Sequence, residues 1–347
     1  MKPSPTSTGR LPVGLLLAAL LAVPALPLHV SAQGLKIAVG DVGLGIGDVC
    51  RLDGVRLNFR DRCLDRVRGL NATIWSPHDE ATGRVEGLAL GLPLTGADEL
   101  AGVALGVGVA VEDAFSGVGM GLLGMGSGRS LRGVAVGGLG VGSGGDMEGL
   151  MVGGLGVGTG GDIRGVVVGG LGAGGGADLE GMVVGGLGLG LGGDLTGLAV
   201  GGLGVGVGGR SRGILVGGVG VGAGEGARGL TVGGVGVGSG GELEGVSLAG
   251  VGMGASSITG LAIAGFGVGA TDIHGLVVAS AYMKIEEDGR LRGVSVAAFN
   301  DVRGEQRGLS IGLLNIAEEL HGVQIGLLNI AWNKPSWRVL PLVNYHP

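Results

Sequence analysis

Gly133-Val-Ala-Val-Gly-Gly-Leu-Gly-Val-Gly-Ser-Gly-Gly-Asp-Met-Glu148 is one copy of a unit that fills most of the chain. Aligning the sequence on the small residue after each leading apolar pair picks out a series running from Gly91 through Gly121, Gly137 and Gly153 to Ala249 and Gly326. The step is 16 residues from Gly121 to Ala249 and 14 to 18 on either side. Helix is excluded, because the unit holds seven glycines and each costs ~1 kcal/mol relative to alanine in a helix. Alternation predicts strands instead. Val134 and Val136 share one face of a strand, Leu139 and Val141 share one face of a second, and the two pairs differ in parity. A bend at Gly137-Gly138 is therefore expected to turn both pairs into one interior. A third apolar position, Met147, recurs as Ile163, Leu179, Leu195, Leu243, Ile258 and Ile273, and is expected to close the core from the remaining side.

Two architectures use such units. In a parallel β-solenoid each unit is one coil stacked on the next at ~4.8 Å, so sixteen coils span roughly 75–80 Å. In an outer-membrane antiparallel β-barrel each unit is one strand and one turn, and unit lengths alternate between short turns and long loops. The lengths here do not alternate, no Phe, Tyr or Trp occurs from Gly117 to Gly265 to form an aromatic girdle, and the parity break fits a coil better. The expected fold is an all-β parallel solenoid of about 16-residue coils, with the barrel as the alternative. Parallel stacking places Val134 beside Leu150.

Composition bounds the class. Of 347 residues 87 are glycine, far above the usual ~7%, without the Gly-X-Y period of collagen. Hydrophobic residues at 45% and charged residues at 15% reverse the composition of a disordered chain. A net charge of −6 gives no footprint for nucleic acid or an anionic membrane. Residues 1–32 read as a signal peptide: Lys2 and Arg10 precede an apolar run from Leu11 to Leu28, and Val30-Ser31-Ala32 is a small-residue cleavage site. Residues 33–86 read as an N-terminal capping region, 87–331 as the glycine-rich solenoid, and 332–347 as a C-terminal capping tail. The N-terminal region carries Arg51, Arg56, Arg60, Arg62, Arg66 and Arg68 among Asp53, Asp61 and Asp65, around degenerate units at 54–59 and 69–75. Cys50 and Cys63 lie nearly one unit apart there. In an oxidising compartment they form one disulfide with Cα atoms under ~7 Å apart, or else remain two thiols.

The C-terminal units change to Gly-Leu-Ser-Ile-Gly-Leu-Leu-Asn-Ile-Ala at 308–317 and Gly-Val-Gln-Ile-Gly-Leu-Leu-Asn-Ile-Ala at 322–331, followed by Pro-Leu-Val-Asn at 341–344. This stretch, about residues 293–347, resembles a family of bacterial surface-repeat proteins first named from spirochaete sequences. The resemblance is looser over the glycine-rich centre. It implies an exported, surface-associated protein and carries no catalytic residues.

Four patterns bear on chemistry. Asp146, Asp162, Asp178 and Asp194 sit sixteen apart in Gly-Gly-Asp or Gly-Ala-Asp turns and stack as a ladder. They are the weak candidates for a metal site, with calcium as the ion. Yet the period is not that of the calcium-binding nonapeptide rolls, and Arg210 and Gly226 break the ladder before Glu242. The competing reading, an aspartate accepting backbone N–H bonds in its own turn, is preferred. Two residues on, Arg132, Glu148, Arg164, Glu180, Thr196, Arg212, Arg228 and Glu244 suit solvated cross-strand pairs. Asn300, Asn315, Asn329 and Asn344 suggest a hydrogen-bonded asparagine ladder. His78, His274, His321 and His346 are dispersed, and Gly-x-Gly-x-x-Gly strings arise from composition without a strand-to-helix context. No enzyme, cofactor or nucleic-acid signature emerges. The expected role is structural or interactive at the bacterial cell surface, with envelope or host-surface components or a membrane as partners, and an outer-membrane β-barrel pore or scaffold as the alternative.

Overall fold

The computed structural model describes residues 28–31, 34–74 and 83–347, and among these there is no helix. Of the expected signal peptide, only Leu28–Ser31 is described, as a strand antiparallel to Gly34–Val39; cleavage after Ala32 would remove it. Trp75 and His78 lie outside the described residues.

The chain winds into a β-solenoid. Ser130–Gly137 pairs in parallel with Asp146–Gly153, placing Val134 beside Leu150 and Arg132 beside Glu148. The same i to i+16 register continues through Ile163, Leu179 and Leu195. The shorter strand of each coil, such as Gly140–Ser143, pairs in parallel with Gly156–Thr159. Parallel register from coil to coil overturns the antiparallel barrel. Both ends switch to antiparallel pairing: Gly34–Val39 with Val42–Gly47, and Val339–His346 with the last coil. Between Ile285 and Gly289 the register shifts where the 18-residue unit accommodates its extra residues.

Each coil has three short sides. Gly133, at φ +110°, turns the longer strand, and seventeen further units have a glycine at φ between +111° and +159° in the same place. A side chain there is doubly excluded, because a Cβ on Gly133 would stand 2.1 Å from the Gly117 carbonyl oxygen of the coil before. The second corner is Gly138-Leu139 and the third Gly144-Gly145.

The core corrects one expectation. Val134 and Val136 point outward, Ala135 between them is buried, and Leu139 stands 51% exposed at its corner. Val141 and the Met147 column do face inward, together with Leu131 and Ser143. From Leu131 to Met147 the inward side chains all occupy odd positions, and Leu139, odd but exposed at the second corner, is the one departure from that alternation. A bend was not needed to reconcile the pairs. The larger valines simply lie on the outside of the same strand that carries alanine inside.

Glycines outside the Gly133 column divide by what stands behind them. A Cβ on Gly190 meets nothing within 4 Å, and its φ is ordinary. Gly190→Ala is therefore expected to raise stability by ~0.5 kcal/mol through the unfolded chain. Thermal unfolding of the variant checks this, and a lower melting temperature contradicts it.

Candidate interaction faces

The first side of the coil is polar, with Asp146 and Glu148 outward around the buried Met147. Asp146 Oδ1 accepts the backbone N–H of Asp162 at 3.1 Å, Asp162 that of Asp178 at 3.2 Å, Asp178 that of Asp194 at 2.8 Å, and Asp194 that of Arg210 at 2.8 Å. The expectation of bonds within each aspartate's own turn is corrected: every carboxylate caps the turn of the next coil. The cause is geometric, since stacked turns bring the next N–H ahead of the carboxylate while its own turn curls behind it. The second oxygen of Asp162 takes Arg164 Nη2 at 3.3 Å. Among the described residues no group of three His, Cys, Asp or Glu is placed to hold a metal ion. Asp178→Ala is expected to lose ~1 kcal/mol, one hydrogen bond to an exposed turn, while a calcium chelator leaves the melting temperature of the native chain unchanged. A chelator-induced drop reversed by calcium is the contrary result.

Beside this ladder Arg132 pairs with Glu148 at 3.5 Å and Arg228 with Glu244 across adjacent coils. Arg164 instead turns to Asp162 in its own turn, and Arg212 stacks between Thr196 and Arg228. Where Ser211 and Ala227 replace the leucine or isoleucine of the core column, a shallow groove opens among Arg210, Arg212, Arg228, Glu225 and Glu242. Its charges are mixed and only partly paired, with Arg210 on Glu225 at 3.5 Å and Arg228 on Glu244.

The second side is aliphatic. In all eighteen units the two outward residues after the corner glycine are apolar, aliphatic except for Met120 and Met182, from Val55 and Leu57 through Val134 and Val136 to Val323 and Ile325. The inward residue between them is far more varied: Arg56, Asn71, Ala135, Met151, Thr231 and Gln324 all occupy that slot. Along the adjoining corner Leu139, Leu155, Leu171, Leu187 and Leu203 form a ridge, each about half exposed. The ridge continues through Val219, Val235, Val251 and Phe266. On the third side the outward residues of the central coils are glycines, such as Gly140, Gly142, Gly156 and Gly158.

The ends replace apolar core with polar networks. Arg56 is fully buried; its Nη1 meets Asp61 Oδ1 at 2.5 Å and Asn71 Oδ1 at 3.1 Å, while Nη2 meets Asp48 Oδ1 at 3.3 Å and the Cys63 carbonyl at 3.1 Å. Cys50 and Cys63 form a disulfide with Cα atoms 4.9 Å apart, tying the strand before Arg56 to the loop that carries Asp61. At the other end Asn300 Nδ2 donates to Asn315 Oδ1, and Asn315 Nδ2 to Asn329 Oδ1, both at 2.7 Å and fully buried. Asn344 leaves that ladder and joins a second one, donating to Gln324 Oε1 at 3.5 Å, with Gln324 donating to Gln306. The sequence signal for Arg56 and Gln324 was their alignment with the Ala135 slot, and for Gln306 its alignment with the Met147 column.

No family model, curated protein or solved structure matches this chain.

Its faces must therefore speak for themselves. The groups with displaced titration belong to ordinary pairs. Lys36 donates to Asp41 and lowers its carboxyl, and Arg307 does the same for Glu305. Burial, followed by the Asp301 carboxylate, raises the Tyr282 hydroxyl, whose ring stacks on Phe299 at 5.2 Å. His321 and His346, far apart in sequence, meet edge to face at 5.9 Å.

Proposed function

We propose that this chain is an exported structural rod with an interaction role at a bacterial cell surface and no catalytic activity. The observation that carries it is the unbroken aliphatic side, an extended apolar strip on a regular rod. Monomeric soluble proteins seldom expose more than a few hundred Å² of contiguous apolar surface, and larger strips are covered by a partner. Support for export comes from the basic n-region, apolar run and Val30-Ser31-Ala32 site, and from a disulfide, a bond that persists in oxidising compartments. The resemblance of the C-terminal units to bacterial surface-repeat proteins points the same way. The polar side, with both charge signs paired from coil to coil, suits a solvated back to such a rod.

The test is fractionation of the producing cells with N-terminal sequencing and protease treatment of intact cells. The expected result is a chain beginning at Gln33, in the envelope or medium, accessible to protease or released. A chain found in the cytosol with residues 1–32 intact overturns the reading.

A further inference from the structure

We infer that two copies of this chain pair face to face through their aliphatic sides, covering the strip from Val55 to Ile325. The inference rests on the rod reading above and names its partner. Four observations carry it.

The first is the pattern of constraint. From unit to unit the buried slot ranges from arginine to methionine, while its two outward neighbours are apolar in every one of eighteen units. A surface held more strictly apolar than the core behind it is itself an interior. A strand such as Val134-Ala135-Val136 has no polar face, the mark of a parallel strand covered on both sides. The coil's own core covers one side, and nothing among the described residues covers the other.

The second is area. Eighteen coils at ~4.8 Å give a strip ~85 Å long. Two outward columns make it ~10 Å wide at ~3.3 Å per residue, and the ridge adds ~5 Å over the nine coils from Leu139 to Phe266. That is ~1,050 Å² on each copy and ~2,100 Å² for the pair, at the lower edge of the range of permanent dimers.

The third is periodicity. The strip repeats at the strand spacing, so only a surface with the same repeat seats columns between columns along its whole length; a second copy has it. β-Branched side chains in both faces lock with few rotamers lost. The fourth is chemistry, which argues against a lipid surface. The strip's 36 outward positions include no aromatic residue and no Lys or Arg to anchor at headgroups, and the ridge from Leu139 adds a single aromatic ring, Phe266, at its end. The net charge of −6 opposes an anionic bilayer. The charged ladder begins only across the corner glycine, so pairing leaves it in water.

The purified full chain, without detergent, is examined by sedimentation equilibrium alongside Val152→Glu/Val184→Glu/Val216→Glu and the matching triple lysine variant. The wild type is expected at twice the 33.6 kDa chain mass, less the signal peptide. Each triple variant is expected to be monomeric, with a dissociation constant at least ~100-fold higher, since its buried like charges face one another. Mixing the two triples restores a dimer. Far-ultraviolet circular dichroism of the variants reports that the coil survives, and Glu148→Gln, on the polar side, leaves the dimer intact. A wild type that stays monomeric at micromolar concentration overturns the pairing while leaving the rod reading to stand. So does a monomer that floats with phosphatidylcholine vesicles, or an assembly whose mass the triple variants do not change.

Discussion

Gly181→Ala is expected to split the rod. Gly181 sits at φ +133°, and a Cβ added to it would lie 2.0 Å from the Gly165 carbonyl oxygen and 2.9 Å from its carbon. Neither neighbour can yield, because both belong to the ladder that joins Ile163–Gly169 to Leu179–Gly185. Backbone strain of 1–3 kcal/mol adds to the separation of two hydrogen-bonded coils, for a loss of ~4 kcal/mol or more. A solenoid holds together through nearest-neighbour interfaces, so a defect at one interface uncouples the blocks on either side. Calorimetry should show one transition for the native chain and two for the variant, with the lower one well below the native melting temperature. Gly190→Ala, nine residues away in the same coil, is the matched control with the opposite sign. A single unshifted transition for Gly181→Ala contradicts the corner geometry.

The N-terminal end offers the second large effect. Asp61→Ala removes the closest partner of the fully buried Arg56 guanidinium and the acceptor for Asn58 Nδ2 at 2.7 Å and Thr73 Oγ1 at 2.9 Å. Asp48 stays at 3.3 Å from Arg56 Nη2 and keeps one counter-charge, so the expected loss is about 3 kcal/mol, the low end for breaking a buried pair. The double variant Arg56→Met/Asp61→Leu is expected to lose less than Asp61→Ala alone, because the charge leaves with its closest partner and Asp48 keeps the backbone N–H groups of Arg62 and Cys63. Reducing the Cys50–Cys63 bridge removes ~3 kcal/mol in the chain-entropy account of a loop this short. Denaturant titration of the three forms ranks them, and equal losses for the single and double variants would refute the buried pair.

Much of this was legible from residues alone, and each miss has its own cause. Spacing of Gly137, Gly153 and Gly169 gave the period, and constant unit length gave parallel register, because a parallel coil repeats every residue at one step. Column Met147, Ile163, Leu179 was read correctly as core, since no alternative apolar residue competes for that side. Val134 and Val136 were misassigned because larger apolar side chains were presumed to be interior, with Ala135 as a spacer. That presumption holds for a lone sheet with one wet face; it fails for a strand with two apolar faces. Arg56 was grouped with its solvated neighbours Arg60 and Arg62 on charge alone, although alignment of Gly54-Val-Arg-Leu with Gly133-Val-Ala-Val marks it as inward. The aspartate bonds were placed in the wrong coil because local turn chemistry says nothing of what stacks above.

The direction of the coil-to-coil hydrogen bonds has a mechanical meaning. They run along the rod, so tension applied between its ends loads each bond lengthwise and the bonds of one interface share the load only until the first gives way. Such a rod peels one coil at a time, in the weak unzipping direction rather than in shear. Each coil let go frees a tether of sixteen residues, ~50 Å of slack, so the rod would act under load as a series of extensible links that spare whatever it is fastened to. Near the N-terminal end the Cys50–Cys63 disulfide would keep the residues it spans from adding to that slack.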